Sequence, residues 1–144
     1  MKIDIPKLTI IPDRGVGPFC YGEVESDLVS KYNLSIIRDG ICDVLEWRTY
    51  EGFEGAVRLY FGMEGEPPGL NGVGCFKTAW YCGTDLIGSD RNTIWDMLGQ
   101  PDEVEVLDCD GRTSLEYYDL GLQVWLDNTS RCDSIMCGPV IGDE

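Results

Sequence analysis

The stretch Thr113 to Asp127, TSLEYYDLGLQVWLD, constrains the fold more than any other because it reads as two strands around a tight turn. Aromatic and β-branched runs flank Asp119-Leu120-Gly121, and the glycine can take the positive φ that a short connection demands. Side chains alternate at period two on the return strand, so Leu122, Val124 and Leu126 share one face and Gln123, Trp125 and Asp127 the other. The first face is the predicted core. The second sets a large ring between an amide and a carboxylate, which suits a partly wet contact surface. The plainer alternative is a tryptophan packed beneath a loop.

Comparable alternation recurs along the chain. Val44 to Tyr50 alternates Leu45, Trp47 and Thr49 with Glu46, Arg48 and Tyr50, and Ala56 to Phe61 alternates Val57, Leu59 and Phe61 with Arg58 and Tyr60. Glu51 to Gly55 joins them as a hairpin loop. Asp102 to Leu107 is a further predicted strand, with Val104 and Val106 inward and Glu103 and Glu105 outward, and Ser134 to Cys137 closes the set. Met63 to Gly74 reads as a glycine- and proline-rich connection into a strand over Cys75 to Tyr81. Two helices are predicted. Gly22 to Tyr32 has apolar residues at helical spacing and acids in its first turn; Asp90 to Leu98 follows Ser89 as N-cap and stops at Gly99 and Pro101. Pro6 confines Ile3 to Ile11 to an edge strand or extended arm, Gly15 to Phe19 is a sharp turn, and Asp39-Gly40 turns the chain within Leu34 to Val44.

Charge narrows the function. The chain has 26 acids, 11 bases and no histidine, a formal charge of −15, which repels nucleic acid and anionic membrane and draws in basic partners. Residues 1–72 hold 12 acids and 7 bases (−5) and residues 73–144 hold 14 and 4 (−10), so the second half dominates the field. Solubility alone would also account for the acidity. The N-terminal MKIDIPKLTIIPD lacks an uninterrupted apolar run and a small-residue cleavage site, and no run approaches the ~20 residues of a membrane helix, so a cytoplasmic protein is predicted. Seven cysteines are an odd number at spacings that match no zinc pattern, and are read as reduced.

Without histidine, triads of the usual kind cannot be assembled and no side chain titrates near neutrality in its unperturbed state. Asp108-Cys109-Asp110-Gly111 resembles a calcium loop, yet its glycine falls early and no glutamate stands at the twelfth position, so it is read as a turn. Neither a P-loop nor a dinucleotide fingerprint is present. No metal, cofactor or catalytic residue is predicted. Carboxylate chemistry is still open by residue type, and would require acids converging in a pocket.

The two halves share an order of elements: helix, LEW or LEY strand, tight turn, aromatic strand, short final strand. Gly22 to Val29 corresponds to Gly88 through Trp95, Leu45-Glu46-Trp47 to Leu115-Glu116-Tyr117, and Leu59-Tyr60-Phe61 to Val124-Trp125-Leu126. The predicted fold is one α+β domain of two tandem helix-plus-antiparallel-meander units, about residues 15–76 and 84–138, with a shared or adjoining sheet. Gly88-Ser89, Leu98-Gly99-Gln100-Pro101, Leu115-Glu116-Tyr117-Tyr118 and Leu122 to Asp127 carry a resemblance to the repeat of β-lactamase inhibitor protein and BamE-like lipoproteins. In the first half Lys31-Tyr32-Asn33 stands where the Leu-Gly-x-Pro closure would be. The inhibitor grips its partner on a concave sheet face, and the resemblance implies a similar surface here. Gly15 to Phe19 ahead of the first helix is also similar to bacterial immunity proteins that accompany polymorphic toxins.

Together these readings predict a non-enzymatic inhibitor, an immunity protein that occludes a basic toxin or enzyme. The predicted contact set is Glu46, Arg48, Tyr60, Glu116, Tyr118, Gln123 and Trp125, rimmed by Asp102, Glu103 and Glu105. A structural or assembly scaffold of the same fold is the alternative.

Overall fold

In the computed structural model, which describes residues 6–37, 48–61, 69–107 and 111–140, the chain opens with a small antiparallel ribbon. It comprises β1 (Ile10–Ile11), β2 (Gly15–Val16) and β3 (Phe19–Cys20), so the predicted turn at Gly15 to Phe19 carries two short strands that reverse at Gly17-Pro18. Helix α1 (Glu25–Tyr32) leads into β4 (Ser35–Ile36), β5 (Arg48–Gly52), β6 (Val57–Phe61) and β7 (Leu70–Cys75). A second ribbon, β8 (Trp80–Tyr81) with β9 (Thr84–Asp85), precedes helix α2 (Arg91–Leu98). The chain then forms β10 (Glu103–Val106), β11 (Thr113–Tyr117), β12 (Leu122–Leu126) and β13 (Cys132–Cys137).

Eight strands form one antiparallel sheet in the order β10-β11-β12-β13-β7-β6-β5-β4. Chain direction thus works inward from each edge to the centre, where Ile135 pairs with Cys75 and Cys137 with Val73. The fold is α+β, with antiparallel strands and two separate helices.

Register explains the core. Leu115, Val124, Ile135, Cys75 and Val57 lie abreast across five strands, and Tyr117, Leu122, Cys137, Val73 and Leu59 form the next row; none is more than 4% exposed. Each such buried aliphatic side chain contributes about 1.5–3 kcal/mol of transfer free energy. Leu28 of α1 and Ile94 of α2 join the same cluster, as do Leu8, Val16 and Phe19 of the N-terminal segment. Both helices and the first ribbon therefore sit on one side of the sheet.

Local chemistry sets the helix ends. Asp90, not Ser89, caps α2: its Oδ1 accepts from the Thr93 amide at 2.9 Å, while the Ser89 hydroxyl donates to the Asp85 carbonyl. Helix α1 begins three residues later than predicted and stops at Asn33, whose φ of 53° is left-handed.

Two strand readings need correction. β7 lies in the predicted connection and ends at Cys75, where a strand was expected to begin, because its glycines disguise it; of the strand expected over Cys75 to Tyr81 only Trp80–Tyr81 forms a separate strand. A Cβ on Gly74 would meet Met136 Sδ, Phe76 Cε2 and the Tyr60 hydroxyl, each at 3.1 Å, so neighbouring side chains fill the space a larger residue would take. In β5 the alternation is inverted. Tyr50 pairs with Leu59, meets Phe61 edge-on at 5.6 Å and donates to Glu25 of α1 at 2.6 Å, whereas Thr49 pairs with Tyr60. An amphipathic ring that can hydrogen-bond a helix belongs on the packed side. The predicted strand residues Leu45 to Trp47 and the Asp39-Gly40 turn lie outside the described residues.

Candidate protein-binding face

Strand residues between the core rows emerge on the other side of the sheet. Glu103, Glu116, Gln123 and Met136 are consecutive partners across β10 to β13, and Met136 in turn faces Gly74 of β7. A parallel row runs Glu105, Ser114, Trp125 and Ser134. Tyr60 pairs with Gly72 on one side and Thr49 on the other.

Hydrogen bonds fix this face. Gln123 Nε2 donates to Glu116 Oε2 at 2.6 Å, and Gln123 Oε1 accepts from Trp125 Nε1 at 3.1 Å. The half-buried Trp125 is thus satisfied at its indole N–H. Arg112 stacks 4.9 Å from the centre of that ring and pairs with Asp133 at 2.7 Å. The Tyr60 hydroxyl lies 3.8 Å from Met136 Sδ, and burial raises its pKa. Met136 separates two shallow depressions. One, of about 390 Å³, is bounded by Phe76, Arg112, Trp125, Asp133 and Ser134; the other, of about 590 Å³, lies at the β11–β12 turn between Glu116, Tyr118, Gln123 and Pro139.

The β10 edge is acidic. Asp102, Glu103 and Glu105 are all exposed, and Asp102 is held by the Tyr118 amide, which donates to its Oδ2 at 2.7 Å. The Tyr118 phenol, 52% exposed, is pushed up to about 12 by its hydrogen bond to Glu103, with Glu116 and Asp102 adding to the negative field. Val104 and Val106 lie on the helix side, but at 45% and 61% exposure they are less covered than the predicted inward positions required.

Of the predicted contact residues, Tyr60, Glu116, Gln123, Trp125, Glu103 and Glu105 share this face, and Asp102 and Tyr118 stand at its acidic end. The backbone of Arg48 pairs with Phe61, one position out of phase with Tyr60. Glu46 lies outside the described residues. Sequence reasoning missed Met136, Arg112, Asp133 and Phe76. The alternation of Ile135 and Met136 in the closing strand signalled the first; nothing in the sequence signalled that Phe76 would lie beside Gly74.

No family model matches the chain, and no curated protein matches it in sequence. Among solved structures, a DUF4309 family protein, YjgB from Bacillus subtilis, is similar with a TM-score of 0.55 at 12% identity, over 88% of this chain and 88% of that one. That likeness shows a shared fold.

No helix among the described residues is long and apolar enough to cross a membrane.

Proposed function

We propose that this chain is a non-enzymatic, protein-binding inhibitor, an immunity protein whose open sheet face occludes the site of a basic toxin or enzyme. The observation that carries this reading is the side of the eight-stranded sheet opposite the helices. There, Trp125, Tyr60 and Met136 sit half-buried beside an exposed acidic edge. An aromatic centre within a polar rim is the composition of a specific interface, and the formal charge of −15 speeds the approach of a cationic partner. In this reading α1 with β4–β7 and α2 with β10–β13 are two copies of one helix-plus-meander unit, about residues 15–76 and 84–138, joined at β7 and β13.

The test is capture of the partner from the native host, followed by calorimetry with purified proteins. Replacing Trp125 by alanine together with Glu116 by lysine weakens binding by about 2 kcal/mol or more if the ring is a hot spot. Unchanged affinity removes the face. A captured partner whose activity is untouched by binding would favour the scaffold reading.

A further inference from the structure

Building on that reading, we propose that the depression of about 590 Å³ at the β11–β12 turn is a socket for a guanidinium group, an arginine side chain presented by the partner. The molecule's own surface shows the chemistry. Arg112 stacks on Trp125 at 4.9 Å, Arg91 on Trp95 at 4.9 Å and Arg58 on Phe76 at 5.0 Å. Tyr118 is an exposed ring whose charged neighbours are carboxylates. Glu103, Glu116 and Asp102 all press on its phenol, and no cation among the described residues lines the depression beside it.

The walls suit both ends of an arginine. Glu116 is engaged through Oε2 by the Gln123 amide at 2.6 Å, and its Oε1 accepts no hydrogen bond from a described residue. A planar guanidinium can donate to that oxygen while its face lies on Tyr118. Leu122, Met136 and Pro139 offer apolar surface to the aliphatic stem. An ammonium could satisfy the charge but not the stacking plane.

The experiment is an NMR titration of the full chain with three short peptides, acetyl-Gly-X-Gly-amide, in which X is arginine, lysine or the neutral isostere citrulline. The arginine peptide should give saturable shifts at the amides of Tyr118, Gly121 and Gln123, binding about tenfold more tightly than the citrulline peptide. Glu116→Gln, whose fold is checked by its melting temperature, should remove most of that preference. Tyr118→Ala should weaken the arginine peptide more than the lysine peptide. The socket is overturned by equal arginine and citrulline affinity, by equal arginine and lysine affinity, or by no saturable shift at tens of millimolar peptide. A partner that loses affinity on Trp125→Ala but keeps it on Glu116→Gln would remove the socket and leave the face standing.

Discussion

Gly121 closes the β11–β12 turn with φ of 67°, and a Cβ there would stand 2.2 Å from the Gly138 carbonyl oxygen. That oxygen belongs to backbone, so it cannot swing aside as a side-chain end could. Gly121→Ala therefore faces two costs. Left-handed backbone disfavours alanine by roughly 1–2 kcal/mol, of which about half is offset by the stiffer unfolded chain. The second is the clash, relieved only by moving residues 138–140 away and breaking the Gly138 amide's hydrogen bond to the Gly121 carbonyl, now 2.8 Å long. A hydrogen bond of this kind is worth about 0.5–1.5 kcal/mol. The variant should lose about 1–2.5 kcal/mol, which lowers the melting temperature by roughly 4–10 °C in a chain of this size. Gly83 supplies the control: its φ is 86°, but nothing lies within 4 Å of an added Cβ. Gly83→Ala should lose only the net backbone contribution, about 0.5–1 kcal/mol. Circular dichroism melts of the two variants decide the matter. Equal shifts for both, or a Gly121 variant within about 2 °C of the parent, would refute the close approach of the two turns.

Two further outcomes can be checked on the isolated protein. The Thr93 backbone amide, then its hydroxyl, hold the Asp90 carboxyl below its usual pKa, so the stabilisation is present above the unfolded value near ~3.9 and is lost as pH falls through the folded one. Asp90→Ala should accordingly melt below the parent at pH 7, and melts at pH 3 should show the gap narrowed; a constant gap would exclude the charged cap. Thiol labelling followed by peptide mass mapping should modify the exposed Cys20 and Cys82 in the native state and spare Cys75, Cys132 and Cys137, which are buried. Burial pushes the Cys132 thiol up to about 12, further suppressing its reactive thiolate, so rapid labelling there would mean the central strands open readily.

What could be read from the sequence tracks the strength of the period-two signal. The β11–β12 hairpin and β6 were legible because each apolar position alternates with a polar one, and pairing then carried Glu116, Gln123 and Trp125 to one face without further information. β7 was hidden because its fitness for the sheet resides elsewhere. Gly72 and Gly74 have low strand propensity on their own, and only the rings of Tyr60 and Phe76, supplied by other segments, make them suitable. β5 misled for a related reason. Tyrosine is apolar along its ring and polar at its tip, so its side of the sheet depends on whether Glu25 is within reach of the hydroxyl, a fact about α1 and not about the strand. The acidic edge was legible as composition, but the apposition of Asp102 with Tyr118 depends on a backbone hydrogen bond between β10's approach and the end of β11.

The same glycines that hid β7 shape the face. With no Cβ at Gly72 and Gly74, Tyr60 and Met136 can lie across the strand as an apolar plate where ordinary side chains would stand. Trp125 adds to that plate with its one donor already used by Gln123. A partner covering it thus strips water from apolar surface without having to replace a hydrogen bond, and burial of that kind chiefly slows dissociation. The carboxylates of β10 stay exposed and solvated, at separations where salt screens them, so their effect falls mainly on the rate of encounter. Centre and edge should therefore respond differently in one experiment: raising the salt concentration slows association while leaving dissociation nearly unchanged, and truncating Trp125 does the reverse.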